Sequence, residues 1–211
     1  METRIQDLPP GYEMLLSLTG IPPRFMGVMF GNSRVDRRNR AAFEFCRDYV
    51  ENWKVASHKN RSLFIKGGVG TGKTHLSAAV ITHLTVAYRV TARYCSYYTF
   101  SHWQFEREFD PLPLITCPLL VLDDLGLRPS VWGTQTLLEI IVVRIAGDLP
   151  IMVTSPYDWD DIKRVLAAEY EGDPESRAFL KTRIDSTVGK LQEVAGDPLI
   201  LKGKSRRTGR K

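Results

Sequence analysis

The chain has 211 residues, of which 43% are hydrophobic and 25% charged, and carries a formal net charge of +5 with a pI near 9.1. Such a chain can bury one sizeable core, and its basic balance suits an acidic partner. The longest apolar stretches, 118–122 and 137–143, fall far short of the roughly 20 residues needed to cross a bilayer, and no signal-peptide pattern opens the chain, so a cytoplasmic protein without membrane contact is expected.

In chain order, residues 1–30 hold Pro9, Pro10, Pro22 and Pro23 around a short apolar run at Met14–Leu18, which predicts a brief helix within an extended arm over 1–36. From Arg37 to about Val55 the residues Ala41, Ala42, Phe43, Phe45, Cys46, Tyr49, Val50 and Trp53 recur at helical spacing and predict one amphipathic helix with a basic start. The chain then alternates. Strands are predicted at Ser62–Ile65, Val90–Ser96, Leu119–Leu122 and Pro150–Thr154, with helices at Lys73–Tyr88, Thr99–Phe109, Gly133–Ala146 and Trp159–Tyr170 between and after them. Residues 175–201 read as a further helix and one or two short strands, and 202–211 as a basic tail containing Lys202, Lys204, Arg206, Arg207, Arg210 and Lys211. Strands alternating with helices of this length pair in parallel through right-handed crossovers, which predicts a three-layer α/β domain over 37–201 with its ligand at the carboxyl ends of the strands. Cys46, Cys95 and Cys117 stand singly, without metal-ligand spacing, and are expected to be buried reduced thiols.

Residues 67–74, Gly-Gly-Val-Gly-Thr-Gly-Lys-Thr, meet the Walker A pattern G-x-x-x-x-G-K-[ST] between a predicted strand and a predicted helix. That context is what the chemistry requires, because loop amides and a helix N-terminus together form a positive nest for phosphates. Gly67, Gly68, Val69, Gly70, Thr71, Gly72, Lys73, Thr74 and His75 are therefore the candidate nucleotide-binding residues. Lys73 can reach the β and γ phosphates of ATP, and the Thr74 hydroxyl can ligate Mg²⁺. Some fifty residues later the run Leu119–Leu122 ends in Asp123-Asp124. Asp123 is the candidate Mg²⁺ residue, and Asp124 could orient or deprotonate the attacking water, although it is one methylene shorter than a glutamate. Taken alone, Asp-Asp-Leu-Gly is also good turn chemistry.

These residues together resemble the DnaC/IstB-type branch of the AAA+ ATPases, which contains bacterial replicative helicase loaders and transposition helper ATPases. The resemblance rests on Gly20-Ile21-Pro22-Pro23-Arg24-Phe25, on Phe64–Leu76 with its GxGKTHL core, on Leu120–Leu127 with DDLG, and on the strand Pro150–Ser155 followed by a helix. It implies a P-loop fold of the AAA+ type, ATP and Mg²⁺ as cofactors, ATP hydrolysis, which the short Asp124 is expected to make slow, single-stranded DNA and a replicative helicase or transposase as partners, and an ATP-dependent homo-oligomer. It also implies a sensor at Thr154 or Ser155, where the family's usual Thr-Ser-Asn ending is replaced by Thr-Ser-Pro; capping of the next helix is the alternative role for these two. By the same resemblance Arg183 corresponds to an arginine finger reaching a neighbouring subunit, against the alternative of a solvated helix residue, and Arg207 falls on the final arginine of a closing Gly-x-x-Tyr-Arg stretch. Lys73, Asp124 and Arg183 are thus the candidate catalytic residues. For DNA, Arg93, Tyr94, Tyr97, Tyr98, Phe100 and Trp103 together with the tail could supply cations and stacking rings, or the aromatics could be core packing. Loaders of this family generally carry a separate N-terminal recruitment domain, whereas about 35 residues precede the first amphipathic helix here.

Overall fold

A computed structural model of the chain describes residues 11–103, 110–128, 130–168, 170 and 172–203. Its sheet is parallel throughout and contains β1 (Leu63–Gly67), β2 (Arg93–Ser96), β3 (Leu120–Asp123), β4 (Ile151–Ser155) and β5 (Leu199–Leu201), in the spatial order β2-β3-β4-β1-β5. The expected α/β sandwich with a parallel central sheet is what forms.

Alternate residues of the central strands β1, β3 and β4 feed two different cores, as a period-two pleat requires. Phe64, Leu120, Leu122, Ile151 and Val153 point to one face, where they meet α5 (Tyr97–Trp103), α6 (Leu112–Thr116), α7 (Val131–Ala146), α8 (Trp159–Ala168) and α9 (Pro174–Ala195). Leu63, Ile65, Leu119, Val121 and Met152 point to the other, against α2 (Arg40–Glu51), α3 (Trp53–His58) and α4 (Lys73–Tyr88). Each fully buried aliphatic or aromatic side chain of this kind contributes about 1.5–3 kcal/mol, which is why near-continuous apolar strands settle in the middle layer.

Several boundaries differ from the expectation, each for a local reason. The single helix expected over 37–55 is two helices, broken at Asn52, whose side-chain amide donates to Asp48 O at 2.9 Å and so ends α2. The helix expected from Thr99 begins at Tyr97 because Ser96 Oγ accepts the Thr99 amide at 3.1 Å and caps it; residues 104–109 lie outside the described set. Val90–Ala92 form a connection rather than the start of β2, since Arg89 ends α4 in the left-handed conformation with φ +54.

The described part of the predicted arm lies on the domain. The short helix α1 (Tyr12–Ser17) buries Leu16, Thr19 and Ile21 are buried behind it, and Phe25, Val28 and Phe30 pack on the same core as α2 and α4. The Phe30 ring meets Phe43 edge-on at 5.4 Å between centroids. Arg144 of α7 is fully buried and donates to the carbonyls of Leu114, Ile115, Cys117 and Pro150 at 2.7–3.0 Å, fixing the entrances of β3 and β4 to α6. Among the described residues no helix is long and apolar enough to cross a membrane.

Candidate nucleotide site

The loop between β1 and α4 is shaped by its glycines in two ways. Gly70 and Gly72 have φ of +78° and +107°, which a side chain would strain, and so turn the chain into the N-terminus of the 16-residue helix α4. Gly67 is needed for space instead, since a Cβ there would lie 2.6 Å from Thr71 Oγ1 and 2.9 Å from Leu201 O on β5. The Thr71 hydroxyl donates to Gly68 O at 2.9 Å and holds the loop closed on itself, while Val69 stands exposed at its tip. Lys73 is only 6% exposed, with Nζ 3.4 Å from Gly68 O and 3.3 Å from Asp124 Oδ1. An ammonium in such a place needs an anion, and Asp124 supplies one.

The carboxyl end of β3 faces this loop. Asp123 is buried, and three hydroxyls donate to it: Thr74 and Tyr94 to Oδ2, each at 2.7 Å, and Thr154 to Oδ1 at 2.6 Å. Burial and the neighbouring Asp124 raise its pKa above the ordinary carboxylate range, partly offset by these hydrogen bonds. Burial also pushes the Tyr94 phenol upward, with the Asp123 carboxylate adding to the effect, so Tyr94 stays a donor. Asp124 opens the following turn in the left-handed conformation, φ +55. Aspartate adopts this backbone more readily than glutamate, which gives a physical reason for the shorter acid.

β4 lies between β1 and β3, so its last residues reach both. Thr154 accepts the Asp124 amide at 3.0 Å in the same position from which it donates to Asp123. Ser155 donates to Leu125 O at 2.7 Å and accepts the Tyr157 amide at 3.1 Å. The suggestion that these two residues cap the next helix fails: Asp158 does so, accepting the Asp161 amide at 2.9 Å and pairing with Lys66 Nζ at 3.3 Å.

The remaining sequence candidates are more dispersed. His75 turns from the loop to Ser33, 2.9 Å from its Oγ. Arg183, on α9, lies 3.8 Å from Glu139 of α7 within its own chain and is about one-third exposed. Tyr94, Tyr97 and Phe100 are buried, so the core-packing alternative holds for them and they cannot stack on a base; Tyr97 OH meets Thr134 Oγ1 at 2.9 Å. Tyr98 is exposed, with the Arg128 guanidinium 5.5 Å from its ring centroid, and Trp132 is exposed at the start of α7. Neither Arg128 nor Trp132 was marked by the sequence pattern. Arg207 and the other tail cations from Lys204 onward, like the Trp103 side chain, lie outside the description.

The donor set suits Mg²⁺ held jointly with a nucleotide. Among the described residues no cluster of three or more His, Cys, Asp or Glu could hold a metal alone. One buried carboxylate, one hydroxyl and a phosphate cradle match the way Mg²⁺ binds through few protein ligands and the phosphates themselves. Thr74 and Asp123 would hold the ion, and residues 67–74 the phosphates.

Comparison with known proteins places the fold. The family model described as Nephrocystin 3, N-terminal matches residues 45–111, from α2 through the phosphate loop and β2. The uncharacterised YqaM protein of Bacillus subtilis (strain 168) is 24% identical over 165 residues, covering 70% of this chain and 52% of YqaM, so the chain spans about half the length of that curated relative. Among solved structures, DnaI superposes with a TM-score of 0.70 at 21% identity over 92% of this chain and 99% of that one. The DnaC helicase loader gives 0.64 at 20% identity over 86% and 100%. The replication initiator DnaA bound to AMPPCP and single-stranded DNA gives 0.58 at 19% identity over 84% and 67%. The resemblance to DnaC-type AAA+ ATPases therefore holds in three dimensions as a shared fold.

Proposed function

We propose that this chain, which has the AAA+ P-loop fold of the DnaC and DnaI helicase loaders, binds ATP with Mg²⁺ and uses it as a slowly hydrolysed switch in DNA replication, engaging single-stranded DNA and a helicase. One observation carries the reading: Thr74, Asp123, Asp124 and Thr154 converge from β1–α4, β3 and β4 at the mouth of the glycine loop, with Lys73 on Asp124.

The chain's residues divide the work by position. Loop amides and the α4 N-terminus bind the phosphates, and Lys73 exchanges Asp124 for phosphate oxygen, which releases the Asp124 carboxylate toward a water. Thr74 and Asp123 would hold Mg²⁺, which would neutralise phosphate charge. Asp124 orients the water, and Thr154 holds both acids in register. Two features keep turnover low: the short Asp124 must itself part from Lys73, and Pro156 offers no side-chain donor where the resemblance implies an asparagine. For the DNA, exposed Tyr98 with Arg128 over its ring, and exposed Trp132 at the start of α7, supply rings and a cation. The basic tail adds phosphate contacts, and Arg183 reaches a neighbouring copy after leaving Glu139.

The test compares the full chain with Lys73→Ala for ATP turnover and oligomer mass, with and without single-stranded DNA. DNA-stimulated turnover and ATP-dependent assembly, both lost in the variant, support the reading. Nucleotide binding with no turnover under any condition would favour an interaction protein in place of an ATPase.

A further inference from the structure

Tyr94 on the edge strand β2 is gripped at both ends. Its amide donates to Thr19 O at 2.7 Å, and the neighbouring Arg93 guanidinium donates to Leu18 O. Gly20 follows with φ +79 and presses on the same residue, so that a Cβ there would stand 2.7 Å from Tyr94 O. At the other end the Tyr94 phenol donates to Asp123 Oδ2, the oxygen that Thr74 also donates to. Tyr94 is 8% exposed and packs in the core that also holds Ile21. A packed ring with two side-chain torsions cannot re-aim its hydroxyl independently, so the hydroxyl follows its backbone.

We propose that Tyr94 is a positioning residue for Asp123, and that the docked segment Leu18–Ile21 sets the divalent-metal affinity of the site through it. This rests on residues 67–74 and 123–124 forming a Mg²⁺–nucleotide site. A partner that draws Leu18–Ile21 away from β2 loosens the metal carboxylate without touching the phosphate loop. The segment expected to be part of an extended arm is then a control input, and its Gly20 is required where a larger residue would displace β2.

The experiment uses the full chain and two readouts: binding of a fluorescent ATP analogue in EDTA, and Mn²⁺ titration of the nucleotide complex followed by electron paramagnetic resonance. Loss of one hydrogen bond to the carboxylate in Tyr94→Phe raises the Mn²⁺ midpoint about tenfold and leaves metal-free nucleotide binding within about twofold. Gly20→Ala raises the midpoint in the same direction, and the double variant is no weaker than the weaker single one, because both act on one contact. If Gly20→Ala does not fold, Arg93→Gln, which releases only Leu18, replaces it. An unmoved Mn²⁺ midpoint in folded Tyr94→Phe, or additive losses in the double variant, overturns the coupling while leaving the nucleotide site standing. Failure of the unaltered chain to bind the nucleotide overturns the site reading and the coupling together.

Discussion

The hydroxyl of Thr154 donates to Asp123 Oδ1 at 2.6 Å and accepts the backbone amide of Asp124 at 3.0 Å, so one side chain on β4 fixes both acids at the end of β3. A buried hydroxyl with two such partners does more than pack.

Thr154→Val preserves shape and removes both hydrogen bonds, leaving the Asp124 amide without its acceptor. Stability falls by roughly 1–3 kcal/mol in denaturant titration, the usual result of stranding a buried polar group. Single-turnover hydrolysis slows at least tenfold, while ATP affinity changes little, because Thr154 touches the acids and not the phosphate loop.

Asp123→Asn separates stability from function. The native pKa of Asp123 is raised by burial and by Asp124, so the folded state holds the proton more tightly than the unfolded chain does. Its contribution to stability is fully present below the unfolded value of about 3.8 and is lost as pH rises through the higher folded value. Without added metal, the variant therefore melts above the parent at pH 7, and the difference closes on acidification toward pH 4. Melting curves across that range check the sign, and Mg²⁺-dependent nucleotide binding falls in the same variant.

Arg144→Met withdraws the guanidinium from four buried main-chain carbonyls, of which Pro150 O keeps the Leu120 amide. The expected loss is about 3 kcal/mol or more, read as a lower denaturant midpoint with unchanged slope. Arg144 reads in sequence as one more charge near the end of a helix, although its spacing from Leu137, Ile140 and Ile141 puts it on the buried face of α7.

That residue illustrates what was legible and what was not. The strand-loop-helix at residues 63–88 was plain because glycine angles, a helix N-terminus and an apolar strand are all local properties, and α4 spans the predicted Lys73–Tyr88. Asp123 was marked for the same reason, as an acid ending an apolar run. Two of the partners of Asp123, Tyr94 and Thr154, come from β2 and β4, and their arrival depends on the order β2-β3-β4-β1-β5, which no local pattern encodes. Tyr94 could be read as a stacking ring or as core packing, because exposed and buried aromatics have the same spelling. Asp158 took the capping role from Thr154 and Ser155 because β4 runs through Ser155 and the helix begins only at Trp159.

Tyr98→Ala and Trp132→Ala each weaken single-stranded DNA binding about tenfold in fluorescence anisotropy at fixed salt, the worth of one stacked base. Tyr97→Ala and Phe100→Ala, which empty the core instead, lower the melting temperature first. Binding that is equal in all four variants would place the DNA elsewhere.

The central claim is that residues 67–74, Asp123 and Asp124 form a slow ATP switch. Its most direct measurement is phosphate release by the full chain at saturating Mg²⁺–ATP, alongside equilibrium binding of the same nucleotide to the chain and to Lys73→Ala. The account predicts binding that is lost in Lys73→Ala and turnover well below one per second, a barrier of roughly 18 kcal/mol or more. Turnover of tens per second, or equal nucleotide binding by Lys73→Ala, would contradict it.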